Sequence, residues 1–178
     1  MGELNVYTGP MKCGKTQRIL DEAKRQQIAG KEVKVFKPQI DNRFKENEVI
    51  SRNGFRTKAI NINTIDEITK YNADVYIIDE FQFLDGNIEK LDELTTQGKK
   101  IYVAGLNLTS EKKPFGKMGQ LMCMSDNVHM LTSICENCRE DNAIYTYFKG
   151  GEKSGDILVG EDCYIPVCRK CYDKLMKE

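Results

Sequence analysis

The sequence has no excess of charge of either sign, because its 27 Lys and Arg residues balance its 27 Asp and Glu residues. A protein that coats nucleic acid or an anionic membrane needs a basic excess, so the neutral balance argues against both functions. No apolar run approaches the ~18 residues of a membrane span, and the opening segment MGELNVYTG lacks the pattern of a secretion signal. We therefore expect a cytoplasmic protein that binds neither nucleic acid stably nor a membrane.

Internal repeats, low-complexity segments and long linkers are also absent from the sequence. With 40% hydrophobic and 30% charged residues, the composition is typical of a folded soluble protein and not of a disordered chain. At roughly 150 residues per domain, the 178 residues correspond to one domain, or to one domain with a small appendage.

The first 105 residues alternate strand and helix patterns. Apolar runs predict strands at 4–8, 32–36, 75–78 and 100–104, and helical periodicity predicts helices at 15–29, 65–71 and 87–96. Strands separated by helices of this length indicate right-handed crossovers and a parallel sheet. Residues 39–58 and 106–120 are predicted loops.

After residue 105 the pattern changes to short predicted strands at 130–134, 143–148 and 164–167, which surround two pairs of cysteines. We therefore expect an α/β ATP-binding domain over residues 1–125 and a small zinc-binding domain over residues 126–178.

A phosphate-binding loop is predicted where the first strand meets the first helix. The segment GPMKCGKT fits the pattern G-x-x-x-x-G-K-[ST], in which backbone N–H groups and a helix N-terminus surround phosphate oxygens. In that pattern Lys15 reaches the β- and γ-phosphates and Thr16 is a ligand of Mg²⁺. The candidate phosphate-binding residues are Gly9, Pro10, Met11, Lys12, Cys13, Gly14, Lys15 and Thr16.

Two carboxylates follow the buried strand predicted at 75–78. In a protein with a phosphate loop, a carboxylate at the end of such a strand supports Mg²⁺, and Asp79 fits that role. Glu80 is then available as a general base that accepts the proton of an attacking hydroxyl or water. The alternative is structural, with Asp79 capping the next helix and Glu80 solvated.

Four of the seven cysteines form two Cys-x-x-Cys pairs, Cys135 with Cys138 and Cys168 with Cys171. In a chain without a secretion signal, pairs at this spacing are usually metal ligands and not disulfides. Four thiolates would hold Zn²⁺ in a closed tetrahedral site, which is the form of a structural site. Two unrelated buried pairs remain an alternative, whereas a redox-active motif would explain only one pair.

Six motifs together resemble the zinc-containing, type II thymidine kinases. They are GPMKCGKT at 9–16, DNRF at 41–44, IDEFQF at 78–83, KPFG at 113–116, CENC at 135–138 and YIPVCRKCY at 164–172. They occur in the family's order and cover nearly the whole chain. The resemblance implies transfer of the γ-phosphoryl group of ATP, with Mg²⁺, to the 5′-hydroxyl of thymidine or deoxyuridine in nucleoside salvage for DNA synthesis.

The resemblance also implies a RecA-like P-loop domain with a parallel sheet and a zinc-ribbon-like lasso domain that covers the nucleoside. It further implies a homotetramer and feedback inhibition by thymidine triphosphate. It assigns Glu80 as the general base and Arg43 to the phosphates, and it puts Asp79, Glu80, Phe81 and Gln82 beside the triphosphate. The matched nucleoside-binding positions are Met11, Phe83, Leu106, Phe115, Leu158, Val159, Gly160 and Tyr164.

Two other functions remain possible from the residues alone. A P-loop ATPase or switch could use a zinc domain to bind a partner or nucleic acid, and Lys112, Lys113 and Lys117 make one segment locally basic. A purely structural zinc protein would leave Lys15 and Glu80 without a role. ATP consumption that depends on thymidine would distinguish a kinase from both.

Overall fold

The structure is a computed structural model that describes residues 1–40, 48–50, 56–150 and 163–177. Its strands are β1 (Glu3–Thr8), β2 (Val33–Pro38), β3 (Glu48–Ile50), β4 (Arg56–Lys58), β5 (Ile60–Ile62), β6 (Val75–Ile78), β7 (Lys100–Gly105), β8 (Asn127–Met130), β9 (Tyr145–Phe148) and β10 (Tyr164–Val167). Its α-helices are α1 (Lys15–Ile28), α2 (Glu89–Thr96), α3 (Met118–Met124) and α4 (Arg169–Leu175), and Ile65–Lys70 and Phe81–Phe83 form 3₁₀ helices.

A six-stranded sheet with the order β5-β2-β6-β7-β1-β8 forms the centre of the molecule. Every neighbouring pair in it is parallel, as expected from strands joined by helical crossovers. The predicted α/β class with a parallel sheet is therefore confirmed.

Burial on both faces explains why the central strands have continuous apolar sequences. All four residues of β6 are buried. Tyr76 and Ile78 belong to a core cluster that includes Leu91 and Leu94 of α2, whereas Val75 and Ile77 pack with α1 on the opposite face. A strand covered on both faces has no solvent-exposed positions, so it shows no apolar–polar alternation.

The sheet order brings two chain segments to one edge. Val103 of β7 aligns with Val6 of β1 on one side and with Ile78 of β6 on the other. Because the three strands are parallel and share this register, the segments that follow β1 and β6 leave the sheet at the same edge. Ligands of open α/β sheets bind at the carboxyl ends of the strands.

A smaller unit contains the two cysteine pairs. β9 and β10 form an antiparallel two-stranded sheet, and α4 follows β10 directly. Its core consists of the buried residues Cys135, Ala143, Tyr145, Val167, Cys168, Cys171 and Tyr172. These features fit the predicted zinc-bearing lasso domain, and β9 and β10 lie where the sequence predicted strands.

The strand predicted at 130–134 lies instead at Asn127–Met130, where β8 joins the central sheet beside β1. The central sheet thus takes its last strand from beyond residue 125. The division into domains at 1–125 and 126–178 stays a prediction.

Several short elements occur in segments predicted as loops. β3 and β4 pair as an antiparallel hairpin within 39–58, and α3 begins inside 106–120. Strands of three residues are too short to show a periodicity of two, and α3 buries only Met118 and Leu121, so neither leaves a clear sequence pattern. α4 was also missed, since it starts inside a cysteine motif at its N-cap residue Cys168.

Within the described ranges, no helix combines the length and the apolar character needed to cross a membrane.

The packing of α1 can be tested with two isoleucines on the same helix. Ile19 is fully buried and Ile28 is 79% exposed. We expect Ile19→Ala to lower the free energy of unfolding by about 2–5 kcal/mol, because it leaves a cavity against the sheet. Ile28→Ala should change it by less than about 0.5 kcal/mol. Urea denaturation followed by circular dichroism measures both, and equal losses would contradict the packing described here.

Candidate active site and metal centre

The segment between β1 and α1, which the sequence predicts as a phosphate-binding loop, has a backbone that favours glycine at two positions. Gly14 has a φ of 84° directly before α1, a conformation that residues with a Cβ rarely adopt. At Gly9, a side chain would collide with the carbonyl oxygen of Leu131, so only glycine fits. The loop therefore leaves β1 and turns into the N-terminus of α1, where N–H groups without helical partners are available to an anion.

The Lys15 ammonium lies inside this loop. Its Nζ donates hydrogen bonds to the carbonyl oxygens of Gly9 at 3.3 Å and Pro10 at 2.6 Å, and it lies 3.4 Å from the Cys13 Sγ. The cation is thus held on backbone oxygens within the half-buried loop, where a phosphate could replace them as its partner.

Thr16 and Asp79 come together across the edge of the sheet. The Thr16 hydroxyl donates to the Asp79 carboxylate, with distances of 3.0 and 3.2 Å to its two oxygens. Asp79 is only 5% exposed, and its Oδ1 also accepts the backbone N–H of Glu80 at 3.0 Å. A hydroxyl beside a carboxylate is a set of hard oxygen donors that suits Mg²⁺.

Glu80 is held by a chain of hydrogen bonds. Its backbone lies in the left-handed region, with φ 49° and ψ 41°, which is uncommon for a residue other than glycine. The side-chain amide of Gln82 donates to Glu80 Oε2 at 2.5 Å and accepts the backbone N–H of Leu106 at 3.0 Å. Gln82 is buried, so this amide links Glu80 to the segment after β7 in a fixed arrangement.

The segment 106–116, here called the 106–116 loop, folds back on itself. The backbone N–H of Phe115 donates to Asn107 at 3.0 Å, and that of Thr109 donates to Lys113 at 2.8 Å. The Phe115 ring packs edge-on against Phe83 at 5.5 Å between centroids. Three predicted nucleoside-binding residues therefore lie close together. Phe83 and Phe115 contact each other, and the backbone of Leu106 is hydrogen-bonded to Gln82.

Two other predicted nucleoside-binding residues lie near the smaller unit. The backbone N–H of Met11 donates to the Thr146 hydroxyl of β9 at 3.0 Å. Tyr164 of β10 packs against Phe148 at 5.2 Å between ring centroids. Four predicted site residues, Arg43, Leu158, Val159 and Gly160, lie outside the described residues, whereas Phe81 is fully buried in the hydrophobic core.

The smaller unit also contacts the phosphate loop through residues that the sequence analysis did not identify. Glu136, which lies between Cys135 and Cys138 in the chain, accepts a hydrogen bond from Lys12 Nζ at 2.7 Å. The Ser133 hydroxyl donates to the Lys12 carbonyl at 3.1 Å. More than 120 residues separate these partners, so no local pattern could reveal them. The Lys12 side chain is directed to this contact and not to the centre of the loop.

Four cysteine sulfurs form a compact cluster. The Sγ atoms of Cys135, Cys138, Cys168 and Cys171 all lie within 4.8 Å of one another. This grouping fits a tetrahedral set of four thiolates, as predicted from the spacing of the pairs. Among the described residues it is the only such group of three or more potential metal ligands.

Within the cluster, the surroundings of Cys135 favour its thiolate form. Burial raises the pKa of the Cys135 thiol, but hydrogen bonds from the backbone N–H groups of Cys138, Cys168 and Asn137 outweigh this and lower the pKa to about 6. The Cys168 backbone N–H lies 3.3 Å from Cys135 Sγ, and that of Cys171 lies 3.4 Å from Cys168 Sγ. Such N–H contacts to sulfur are what a thiolate ligand requires.

The locally basic segment is neutralised by acidic partners. Lys112 pairs with Asp173 at 2.8 Å, Lys113 with Glu111 at 2.8 Å and Lys117 with Asp85 at 3.0 Å. These pairs argue against the alternative in which this segment binds nucleic acid.

The cysteine cluster can be tested as a structural zinc site. We expect Cys168→Ser to abolish the binding of about one zinc ion per chain. It should also lower the melting temperature by roughly 10 °C or more, since zinc binding contributes to folding. Mass spectrometry of bound metal and thermal unfolding measure these changes. Cys123→Ser, at an exposed cysteine outside the cluster, is the control and should keep both values. Full zinc content in Cys168→Ser would contradict the site.

Comparison with known families agrees with the geometry. A family model described as thymidine kinase matches residues 2–172, which is nearly the whole chain. Members of this family are kinases that phosphorylate a nucleoside, so the match favours an enzyme over a partner-binding switch or a purely structural zinc protein. The phosphate loop, the paired Thr16 and Asp79 and the cysteine cluster all lie within the matched residues. The chain belongs to the thymidine kinase family.

Proposed function

We propose that this protein transfers the γ-phosphoryl group of ATP to the 5′-hydroxyl of thymidine, and of deoxyuridine, giving ADP and the nucleoside 5′-monophosphate. The observation that carries the proposal is the contact of Thr16 in the phosphate loop with Asp79, directly before Glu80. At one edge of the sheet, this contact places Thr16 and Asp79, which suit a metal-bound triphosphate, next to the Glu80 carboxylate, which suits proton transfer.

Glu80 is the proposed general base. As the 5′-oxygen attacks the γ-phosphorus, its proton passes to the Glu80 carboxylate, and the bond between the γ-phosphorus and the bridging oxygen breaks to release ADP. The hydrogen bond from Gln82 restricts the carboxylate to one orientation. Positioning of this kind contributes much of the catalysis in phosphoryl transfer.

Positive charge for the transferred group is proposed to come from three sources. Lys15 exchanges the carbonyl oxygens of Gly9 and Pro10 for phosphate oxygens, and the N-terminus of α1 adds its N–H groups. Arg43 is the third proposed source. Thr16 and Asp79 would hold Mg²⁺, which neutralises phosphate charge when bound.

The proposed nucleoside site uses apolar and aromatic side chains. Phe83 and Phe115 already pack together, and Leu106 is fixed to Gln82 through its backbone. An apolar pocket with a few fixed polar groups is the usual way in which proteins bind a small aromatic ligand. Met11, Tyr164 and the main chain of 158–160 would complete the site around the base.

Family membership also suggests the protein's cellular setting and assembly. We propose that it acts in the cytoplasm, in the salvage of pyrimidine deoxynucleosides for DNA synthesis. A homotetramer and feedback inhibition by thymidine triphosphate are part of the same proposal.

The reaction is tested with a panel of nucleosides in the presence of ATP and Mg²⁺, following the formation of 5′-monophosphates. We expect ATP consumption to depend on thymidine or deoxyuridine. ATP consumption that proceeds equally without any nucleoside would overturn the proposal.

The role of Glu80 is tested by Glu80→Gln, which keeps an oxygen able to accept the hydrogen bond from Gln82. We expect kcat to fall by about 10²–10⁴, because an amide cannot accept the proton, while both substrates still bind. Steady-state kinetics and calorimetric titration measure these effects. Glu89→Gln, at an exposed position of α2, is the control and should behave as the unmodified protein. Near-normal turnover of Glu80→Gln would exclude Glu80 as the base.

A further inference from the structure

Lys112, at the tip of the 106–116 loop, lies on the smaller unit. Its Nζ is 4.0 Å from the ring centroid of Tyr172 and 4.5 Å from that of Tyr145, and it pairs with the Asp173 carboxylate at 2.8 Å. An ammonium group over aromatic rings is attracted to their π faces, and partial burial strengthens the attraction. The Lys112 side chain is 30% exposed, so it is partly shielded from water.

Tyr172 makes a second contact with the same loop. Its hydroxyl donates to the Ser110 carbonyl oxygen at 2.6 Å, and the residue is 4% exposed. It follows Cys171 directly on α4, the helix whose N-cap is Cys168. The position of this ring is therefore tied to two residues of the cysteine cluster, and Tyr145 and Tyr147 pack around it.

The other end of the loop reaches the proposed nucleoside site through Leu106 and Phe115. Between its ends, the loop is closed by the backbone hydrogen bonds of Thr109 and Phe115, and Lys112 has a positive φ of 61° at the turn. A short loop that is closed in this way moves largely as one piece. A shift at its tip is therefore transmitted to Leu106 and Phe115.

We propose that Lys112 and Tyr172 are positioning residues for the nucleoside, since they fix the 106–116 loop on the unit that carries the cysteine cluster. This inference rests on the proposed function. In this arrangement, the unit that carries the cysteine cluster influences the affinity for thymidine through the 106–116 loop, although that loop contains none of the four clustered cysteines.

The contacts with the phosphate loop are made by different residues of the same unit. Glu136 pairs with Lys12, and Thr146 accepts the Met11 N–H. The phosphate loop and the 106–116 loop should therefore respond to different substitutions. A general loss of stability, which affects both loops, can then be distinguished from a loss of positioning of the 106–116 loop alone.

The kinetic test compares Lys112→Met with Lys113→Met. Lys113 is a matched control because it lies next in the chain and pairs only with Glu111 on the same loop among the described contacts. We expect Lys112→Met and Tyr172→Phe each to raise the KM for thymidine about 3–10-fold, leaving kcat and the KM for ATP nearly unchanged. Lys113→Met should have no effect, and Lys112→Arg should restore the KM because arginine keeps a cation over the rings.

Glu136→Ala provides the converse case, with a raised KM for ATP and an unchanged KM for thymidine. Zinc content and melting temperature are measured for every variant. The inference is overturned if Lys112→Met matches Lys113→Met, or if it raises both KM values together with a loss of zinc.

A spectroscopic test is independent of activity. The sequence contains no tryptophan, so Phe115→Trp introduces a single tryptophan, whose emission can be excited selectively, at the base of the loop. We expect addition of Lys112→Met to shift its emission or lower its anisotropy, whereas addition of Lys113→Met should not. If the unmodified protein does not phosphorylate thymidine but the tryptophan signal responds to Lys112→Met, the proposed function fails and the loop attachment stands. If neither the emission nor the anisotropy changes, the attachment itself is overturned.

Discussion

The shared parallel register of β1, β7 and β6 is the constraint on which the candidate site depends. It makes the phosphate loop and the segment beginning with Asp79 leave the sheet at one edge, so that Thr16 and Asp79 touch although 63 residues separate them.

The smaller unit contacts both loops of the candidate site. It contacts the phosphate loop through Glu136 and Thr146, and it contacts the 106–116 loop through Tyr172. A cluster of four cysteines can organise a unit whose buried core is small. The cysteine cluster, the 106–116 loop and the proposed nucleoside site are in this way connected by direct contacts.

The parallel sheet and the cysteine cluster could be predicted from the sequence, because each has a local pattern, whereas phosphate binding by the loop before α1 stays a prediction. Gly14 and Lys15 belong to a motif whose spacing follows from backbone geometry, and the two Cys-x-x-Cys pairs have the spacing of a metal site. The contacts of Lys12 with Glu136 and of Lys112 with Tyr172 could not be predicted, since they join distant segments whose approach depends on tertiary packing. β8 was displaced for the same reason, because pairing with β1 and not periodicity fixes its position.

The late position of β8 in the chain has a consequence for synthesis on the ribosome. β1 is the first strand to be made, yet its neighbour β7 ends at Gly105 and its other neighbour begins only at Asn127. Until Asn127–Met130 emerges, the nascent chain presents the unpaired N–H and C=O groups of β1 as an open edge. Such edges can recruit foreign strands, so until β8 pairs with it, the open side of β1 favours aggregation of the nascent chain.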